Sequence, residues 1–319
     1  MSDTAPSRRQ ELTDRAVAAG YGAGWQLVRS LPEPVARAAF RAAADRATAR
    51  RGPRVVQLAR NLHRVLGADA TPATLSTVVA AGMRSYARYW LETFRLPAMD
   101  HAQVVLDVTA GTYGLENIEN ALEAGRGVVC VLPHTGNWDV AGLMIAQRFG
   151  SLTTVAERLK PESVYDRFLA FRESLGMEIL PLTGGPAVSQ VLKQRLRAGG
   201  IVCLLGDRDL TARGIEVSFF GEPTRMPAGP ALLAATTGAD LLPCLPTFTP
   251  TGWKVVIGEP MPLPGGRLAT TVRQTTQQLA DRFARDIATA PADWHMLQPL
   301  WLADLPAARR AALTDGAAR

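Results

Sequence analysis

The chain has 319 residues, of which 47% are hydrophobic and 20% charged, so it can bury a large core without disulfide bonds. Its three cysteines are widely spaced and odd in number, which excludes a disulfide framework and favours a reducing compartment. The formal net charge is +6. The sequence contains no CxxC or CxxH pair, which disfavours a structural zinc site. No apolar run reaches the ~18 residues that a membrane-spanning helix needs.

The positive charge is concentrated near the amino terminus. Residues 1–60 contain eleven arginines and five acidic residues, a difference of six that equals the net charge of the whole chain. Basic segments of this kind are typical of proteins that contact nucleic acid or anionic lipid. Because no helix-turn-helix or aromatic-interleaved basic pattern accompanies the arginines, the sequence disfavours nucleic-acid binding.

The first predicted element is an amphipathic helix over residues 10–31, where Tyr21, Trp25 and Val28 recur at three- to four-residue spacing. Two interpretations are open. The helix and its successor pack on the domain and expose a solvated arginine face, or they lie on anionic lipid, with Trp25 and Phe40 as apolar anchors.

Helices and short apolar strands alternate through the rest of the chain. Helices are predicted at 35–50, 54–66, 75–94, 114–124, 137–149, 161–175, 187–198, 228–237 and 270–288. Strands are predicted at 127–132, 152–156, 177–182, 201–205, 241–247 and 253–257. Apolar strands between helices are typical of a mostly parallel sheet covered on both faces. We therefore expect one α/β domain over residues 1–319, with a helical, membrane-facing part at 1–70 and an α/β core at 71–319.

Polar residues follow two of these strands. His134 comes after strand 127–132, and Asp207 comes after strand 201–205. In open parallel sheets, ligands bind beyond the carboxyl ends of the strands. If the two strands are neighbours, Asp207 lies beside His134. Asp139, in the first turn of the next helix, also places a carboxylate near the imidazole. A nearby anion raises the basicity of the imidazole. His134 is therefore a candidate general base that takes a proton from a hydroxyl.

Other interpretations of these residues are open. Asp139 or Asn137 could only cap the helix and leave His134 as an ordinary loop residue. Alternatively, His134, Asp139, Asp207 and Asp209 could bind a divalent ion, although such a site needs a second histidine or a denser acidic cluster. The sequence contains no nucleophile elbow and no phosphate loop, and the cysteines inside apolar strands are predicted core residues.

The residues around His134 carry a resemblance. HTGNWDVAG (134–142) resembles the H-x4-D block of bacterial lipid acyltransferases in the lipid A lauroyl/myristoyl acyltransferase superfamily. Four more blocks are similar to the phosphatidylinositol mannoside acyltransferases of actinobacteria: TVAERLKPESVYDRFLAFRESLGMEILPLTGG (154–185), VCLLGDRDL (202–210), VSFFGEPTRMPAGPALLA (217–234) and PADWHMLQPLW (291–301). The similarity runs from about residue 21 to residue 304.

The resemblance implies a reaction and a place for it. A long acyl chain moves from acyl-CoA to a mannose hydroxyl of phosphatidylinositol mannoside, catalysed by a peripheral protein at the cytoplasmic face of the plasma membrane. His134 is implied as the base, Asp139 as the acid of H-x4-D and Asp207 as the charge-relay acid. Acyl-CoA is then a co-substrate, and we expect no metal, no bound cofactor and no nucleic acid.

The resemblance also suggests substrate-binding residues. Four basic side chains correspond to positive positions near the acyl-donor site, although each could be a solvated surface charge: Arg158, Lys160, Arg172 and Arg225. Five aromatic residues are candidates for lining an acyl channel or for the core: Trp90, Phe94, Trp138, Phe219 and Phe220. The alternatives are the same chemistry on a lysophospholipid or lipid A-like sugar, a thioesterase, or a catalytically silent lipid-binding protein.

Overall fold

The computed structural model describes residues 22, 24–157, 162–182, 188–209, 214–307 and 310. Its strands are β1 (Thr112–Tyr113), β2 (Val128–Leu132), β3 (Leu152–Ala156), β4 (Met177–Pro181), β5 (Ile201–Leu205), β6 (Ile215–Phe219), β7 (Glu222–Met226), β8 (Asp240–Phe248) and β9 (Trp253–Ile257).

The α-helices follow in the same chain order. They are α1 (Glu33–Arg50), α2 (Pro53–Leu66), α3 (Pro72–Arg95), α4 (His101–Ala110), α5 (Glu116–Glu123), α6 (Trp138–Phe149), α7 (Glu162–Ser174), α8 (Val188–Arg197), α9 (Gly229–Thr237) and α10 (Leu268–Thr289). Short 3-10 turns lie at Leu96–Ala98, Pro291–Asp293 and Leu302–Asp304.

Seven of the strands form one sheet in the order β1-β9-β8-β2-β5-β3-β4. Every neighbouring pair is parallel except β8 and β9. Strands β6 and β7 form a separate antiparallel hairpin. The expected α/β fold with a mostly parallel sheet is confirmed.

Strand β2 lies inside the sheet and is buried along its whole length. Its side chains alternate between two apolar clusters, as the two-residue period of a strand requires. Cys130 faces the cluster that contains Leu143 of α6. Val129 and Val131 face the cluster that contains Phe283 of α10. Burial on both faces explains why this segment is apolar without interruption.

Most element positions match the sequence analysis, but β1, α4 and the β6–β7 hairpin were not predicted. The hairpin alternates apolar and polar residues up to Phe219 and turns at Phe220 and Gly221, both at positive φ. Helix α4 is capped by Asp100, whose side chain accepts hydrogen bonds from the backbone N–H groups of Ala102 and Gln103. Both signals were present in the sequence and were missed.

The amino-terminal helices pack on the protein, as one of the two interpretations required. Residues 24–30 are helical, whereas residues 10–21 of the expected first helix lie outside the described residues. Helices α1, α2 and α3 share an apolar cluster around Leu58 and Leu62. Several arginines of α1 and α2 remain exposed, among them Arg41, Arg46, Arg50, Arg54 and Arg60.

Trp25 is a core residue, so its expected role as an apolar membrane anchor is wrong. The side chain is 9% exposed, and its indole N–H donates a 2.8 Å hydrogen bond to the carbonyl oxygen of Phe94. The rings of Phe168 and Phe171 lie 5.4 and 6.0 Å away. Phe40, the other expected anchor, is half-buried and packs edge-on to Phe94.

Among the described helices, none combines the length and the apolarity that crossing a bilayer demands.

Replacing Trp25 with alanine tests how firmly the amino-terminal helix is held. Because the change removes a buried ring and its hydrogen bond, we expect the free energy of unfolding to fall by about 3–5 kcal/mol. Leu27 is 60% exposed on the same helical segment, so Leu27→Ala serves as the matched control and should change stability by less than about 0.5 kcal/mol. Urea unfolding followed by tryptophan fluorescence measures both. Equal effects would show that Trp25 does not anchor the segment.

Candidate active site

The pairing of β2 with β5 positions the site. The register sets Leu132 opposite Leu205 at the carboxyl ends of the two strands. His134 and Asp207 each lie two residues beyond this pair, so the two side chains leave the sheet at the same level. The prediction that these strands are neighbours is confirmed, and so is the direct contact between His134 and Asp207.

Asp207 holds His134 at two points. One carboxylate oxygen, Oδ1, lies 2.6 Å from His134 Nδ1, and the other, Oδ2, accepts a 2.9 Å hydrogen bond from the His134 backbone N–H. An ionised carboxylate can only accept, so Nδ1 carries the proton and Nε2 is left as an acceptor. The imidazole is 24% exposed while Asp207 is fully buried. This arrangement suits a base that faces a substrate and is oriented from behind.

The carboxylate stays ionised although it is buried. Burial by itself raises the pKa of Asp207, but the attraction of His134 and the hydrogen bonds from His134 and Trp294 outweigh it and lower the pKa below its ordinary value. The Trp294 indole N–H supplies one of these bonds, at 2.9 Å from Oδ2. Trp294 is itself fully buried, so this donor is fixed in place.

Two backbone hydrogen bonds, one on either side of Trp294, join residues 293–295 to the loop at residues 134–136. The backbone N–H of His295 donates to the carbonyl oxygen of His134 at 2.8 Å, and Gly136 N–H donates to the carbonyl oxygen of Asp293 at 3.0 Å. Gly136 has a φ of 54°, and a Cβ there would lie 2.6 Å from the carbonyl oxygen of Pro246. Glycine is therefore required for the loop to lie this close to β8.

His295 is a second histidine near the site, but its chemistry differs from that of His134. Its Nε2 lies 2.9 Å from the Ser85 hydroxyl, which donates to Asp293 at 2.7 Å. Because the hydroxyl proton is already used, Nε2 must donate to it. Burial and the proximity of His134 lower the pKa of His295 to about 3. The ring therefore stays neutral and serves to hold the segment.

Asp139 is not a partner of His134 in this structure. Its Oδ1 accepts a 2.7 Å hydrogen bond from Arg172 Nε, and its Oδ2 accepts one of 3.1 Å from the Tyr89 hydroxyl. The expectation that Asp139 lies against the imidazole is wrong, because the helix turns its carboxylate toward α3 and α7. The cap of α6 is Asn137, whose side chain accepts from the backbone N–H groups of Asp139 and Val140.

The Asp139–Arg172 ion pair is buried. Although burial alone lowers the pKa of Arg172, the Asp139 carboxylate raises it above its ordinary value. Burial and the same carboxylate raise the pKa of Tyr89, which keeps its hydroxyl protonated and able to donate. Arg172 was predicted to bind an anionic donor group, and the structure instead gives its guanidinium an internal partner.

Arg225 is the other predicted basic residue that the structure describes. Arg225, on β7, lies 3.8 Å from Glu216 and donates a long 3.5 Å hydrogen bond to the carbonyl oxygen of Gly214. Arg158 and Lys160 lie outside the described residues. Asp209 accepts a 2.8 Å hydrogen bond from the Gly214 N–H.

A largely apolar cavity lies between the sheet and α6. It has an empty volume of about 790 Å³, counting its opening to solvent. Trp138 lines it, and the Trp138 ring packs edge-on against His134 with the ring centres 5.7 Å apart. Leu152 and Met177 also line it. Trp138 therefore separates the cavity from the imidazole of His134.

Of the five aromatic residues proposed as channel lining, only Trp138 lines this cavity. Trp90 borders a smaller neighbouring pocket, and Phe94 packs against Trp25. Phe219 and Phe220 pack against the cluster on the opposite face of the sheet. Most of the other lining residues are aliphatic or sulfur-containing, and the polar ones are Asp139, Thr154 and Arg172.

The four residues weighed as metal ligands do not converge. Asp139 pairs with Arg172, and the Asp209 carboxylate bonds to a backbone N–H. No group of three or more histidine, cysteine, aspartate or glutamate side chains with metal-binding geometry occurs within the part of the chain that the structure describes.

Comparison with known proteins agrees with this geometry. The model of the bacterial lipid A biosynthesis acyltransferase family matches residues 7–303. The chain belongs to this family. A phosphatidylinositol mannoside acyltransferase of Mycobacterium tuberculosis (strain CDC 1551 / Oshkosh) is 50% identical over 306 residues, which cover 96% of this chain and 95% of the relative. One of Mycolicibacterium smegmatis is 52% identical over 298 residues, covering 92% and 94%.

The resemblance found in the sequence is thus confirmed, and the histidine site is that of a member of an acyltransferase family. Trp294 is the site residue that residue-level reasoning missed. It lies in the block PADWHMLQPLW, which was recognised as similar to the family, but a tryptophan gives no sequence signal for a hydrogen bond to a carboxylate 87 positions away.

Trp294→Phe keeps most of the ring and removes the donor to Asp207. A hydrogen bond to a charged group contributes about 1.5–3 kcal/mol, so the variant should lose stability of that order at neutral pH. The lowered pKa of Asp207 stabilises the folded protein at any pH above the ordinary carboxylate pKa. The loss of stability in the variant should therefore shrink as the pH falls through the pKa that Asp207 has in the folded protein. We also expect kcat to fall by about tenfold, equivalent to ~1.4 kcal/mol.

Trp301→Phe is the matched control for this experiment. Trp301 is equally buried and donates its indole N–H to the carbonyl oxygen of Phe219 at 2.9 Å, away from Asp207. Its loss of stability should not depend on acid pH, and its kcat should not change. Urea unfolding between pH 3 and pH 8 and steady-state kinetics separate the two variants. Identical pH profiles would contradict a positioning role for Trp294.

Arg172→Leu tests the role of the buried ion pair. Because it leaves the Asp139 carboxylate buried without its cation, we expect a loss of about 3–5 kcal/mol in unfolding free energy. Arg195→Leu breaks the exposed pair with Glu178 and should cost less than about 1 kcal/mol. A raised KM for acyl-CoA without a loss of stability would instead support the donor-binding role predicted from the sequence.

Proposed function

We propose that the protein transfers a long, palmitoyl-like acyl chain from acyl-CoA to a mannose hydroxyl of phosphatidylinositol mannoside. The observation that carries the proposal is the His134–Asp207 pair, which is next to the apolar cavity across the Trp138 ring. The acceptor is taken from the relatives, which are named as phosphatidylinositol mannoside acyltransferases and align along nearly the whole chain.

The proposed reaction needs no acyl-enzyme. His134 Nε2 accepts the proton of the acceptor hydroxyl as its oxygen attacks the thioester carbonyl. Asp207 holds the Nδ1–H tautomer and stabilises the imidazolium that forms. The imidazolium then protonates the departing CoA thiolate, which restores the base. Neither a metal nor a bound cofactor is required by these steps.

The depth of the cavity suits a long acyl chain. The strand registers place Cys130 level with Thr154 and therefore put Leu152 two residues lower, near the level of Val128. From Leu132, where β2 ends, to that level is four residues, or about 13 Å at ~3.3 Å per residue. Because most of the lining side chains are apolar, burial of methylene groups along this depth is favourable.

The CoA part of the donor would remain at the opening of the cavity. Arg225, together with Arg158 and Lys160 outside the described residues, are the proposed contacts for its phosphates. Asp139 and Arg172 are proposed as positioning residues, because their ion pair fixes α6 and so the wall of the cavity.

The proposed place of the reaction is the cytoplasmic face of the plasma membrane, reached by peripheral docking. The acceptor lipid cannot leave the bilayer easily, and the exposed arginines of α1 and α2 suit an anionic leaflet. Since Trp25 is internal, the docking proposal now rests on charge and on exposed apolar side chains such as Val35 and Val56.

The proposal is tested by product analysis. The purified protein is incubated with palmitoyl-CoA and vesicles containing phosphatidylinositol mannoside, a lysophospholipid or a lipid A-like sugar, and CoA release and acylated lipid are followed by mass spectrometry. Release that requires phosphatidylinositol mannoside supports the proposed function. Release without any acceptor indicates a thioesterase, release with another acceptor reassigns the substrate, and no release indicates a lipid-binding protein.

In that assay, His134→Ala should lower kcat by about 10²–10⁴-fold, the range expected for loss of a general base, while thermal unfolding remains cooperative. Asp207→Asn should cause a comparable loss, because it removes the carboxylate that selects the His134 tautomer. A folded His134→Ala variant with near-normal turnover would remove this residue from the mechanism.

Membrane docking is tested by co-sedimentation with vesicles of rising anionic lipid content. Replacing Arg41, Arg46 and Arg50 with serine should weaken binding at least tenfold, since each arginine near an anionic surface contributes about 1 kcal/mol. The matched control replaces three exposed arginines outside the amino-terminal region, Arg267, Arg273 and Arg285. Added salt should reduce binding of the unmodified protein. Equal binding by both variants would refute docking through α1.

A further inference from the structure

The three cysteines of the chain converge on the apolar cavity. Cys130 on β2, Cys203 on β5 and Cys244 on β8 all line it, and no other cysteine occurs in the sequence. All three are free thiols. This cluster has no local sequence signature, because the residues are at least forty positions apart.

The strand registers set these thiols at two depths. Cys130 is directly opposite Cys203 and lies two residues below Leu132, where β2 ends, or about 7 Å along the strand. Cys244 is two residues beyond Leu242, the partner of Cys130, and so lies level with Leu132. His134 follows Leu132 by two residues, a span of at most about 7 Å. At about 1.25 Å per carbon, an acyl chain whose carbonyl is at His134 would place carbon 6 near Cys244 and carbon 11 near Cys130 and Cys203.

We propose that this three-cysteine cluster is a covalent capture site for fatty acyl chains that carry an electrophilic alkene within the chain. The proposal rests on the proposed function in one respect, namely that the cavity takes an acyl chain with its carbonyl toward His134. Oxidised lipids that contain an α,β-unsaturated ketone are the ligand class. Capture fills the cavity and blocks acyl transfer.

The chemical step is a conjugate addition that balances without an oxidant. The cysteine sulfur attacks the β-carbon of the enone and forms the S–C bond. The alkene electron pair moves to give the enolate, and the proton lost from the thiol is restored at the α-carbon. The ketone and the rest of the chain are unchanged.

The surroundings of the thiols favour chain-bearing reagents over small ones. The hydrogen bond to Cys130, together with burial, raises the pKa of Cys203 and of Cys244 well above the usual value. Interaction with Cys203 and Cys244 lowers the pKa of Cys130. The Cys244 thiol donates a 3.5 Å hydrogen bond to the carbonyl oxygen of Leu242. Thiols that are enclosed in this way react slowly with reagents from water. Each methylene group of a ligand that is buried in the cavity increases the binding constant by about fourfold. An electrophile on a long chain is therefore held next to the thiols, whereas a short one is not.

The test compares two isomeric enones and a short one on the full-length protein. The probes are 4-oxooctadec-5-enoic acid, with its reactive carbon at position 6, 9-oxooctadec-10-enoic acid, with its reactive carbon at position 11, and pent-3-en-2-one. Adducts are timed by intact mass and assigned by peptide mapping. We expect the position-6 probe to add to Cys244 and the position-11 probe to add to Cys130 or Cys203. Both additions should be at least 100-fold faster than addition of the short enone. Palmitoyl-CoA should slow both.

Cys244→Ala and Cys203→Ala provide the matched variants. Cys244→Ala should abolish rapid labelling by the position-6 probe alone, and Cys203→Ala should slow only the position-11 probe. The same adduct site for both isomers, a short enone that reacts as fast, or no protection by palmitoyl-CoA would overturn the proposal. Because labelling is read by mass, it is independent of acyl transfer. Labelling without transfer would refute the proposed function and leave the capture site standing.

Discussion

The site depends on the register between β2 and β5. Strand β2 is buried along its whole length and β5 packs apolar side chains on both faces, so a shift of one residue would turn every side chain of a strand to the wrong cluster. The same register that satisfies the core therefore fixes His134 and Asp207 at one level beyond the sheet. Packing of Val129, Cys130 and their neighbours, and not the loop, thus determines the distance between His134 and Asp207.

The remaining geometry comes from segments that are remote in sequence. The chain segment after α10 returns to the loop of His134, where Trp294 binds the buried carboxylate and His295 is bonded to the backbone of His134. On the other side, α3 supplies Tyr89 to Asp139. The two carboxylates, Asp139 and Asp207, thus have separate surroundings, and Asp207 is the one that contacts the imidazole. Each is paired with a different neighbour, a histidine in one case and an arginine in the other.

The sequence was sufficient for the fold class, for most element positions and for His134 and Asp207, because apolar strands and the residues that follow them have a local signature. It was insufficient where the signal was long-range. Spacing alone placed Asp139 near His134, but the direction of a side chain on the first turn of α6 is decided by Arg172 and Tyr89. Trp25 has the spacing of an amphipathic helix whether it faces lipid or protein, and only the contact with Phe94 distinguishes the two. The cavity likewise follows from strand order, which no single segment encodes.

The separation between His134 and Asp139 means that the H-x4-D motif contains two parts with different selective pressures. In the proposed mechanism the histidine acts in the reaction and its loss would leave the core undisturbed, whereas the aspartate stabilises the fold through its ion pair with Arg172. A gene duplicate freed from catalysis would therefore keep its aspartate and arginine after its histidine had drifted. In such a lineage, retention of the aspartate–arginine pair would indicate common descent and a preserved cavity. Retention of the histidine would be the sign that the proposed activity is kept.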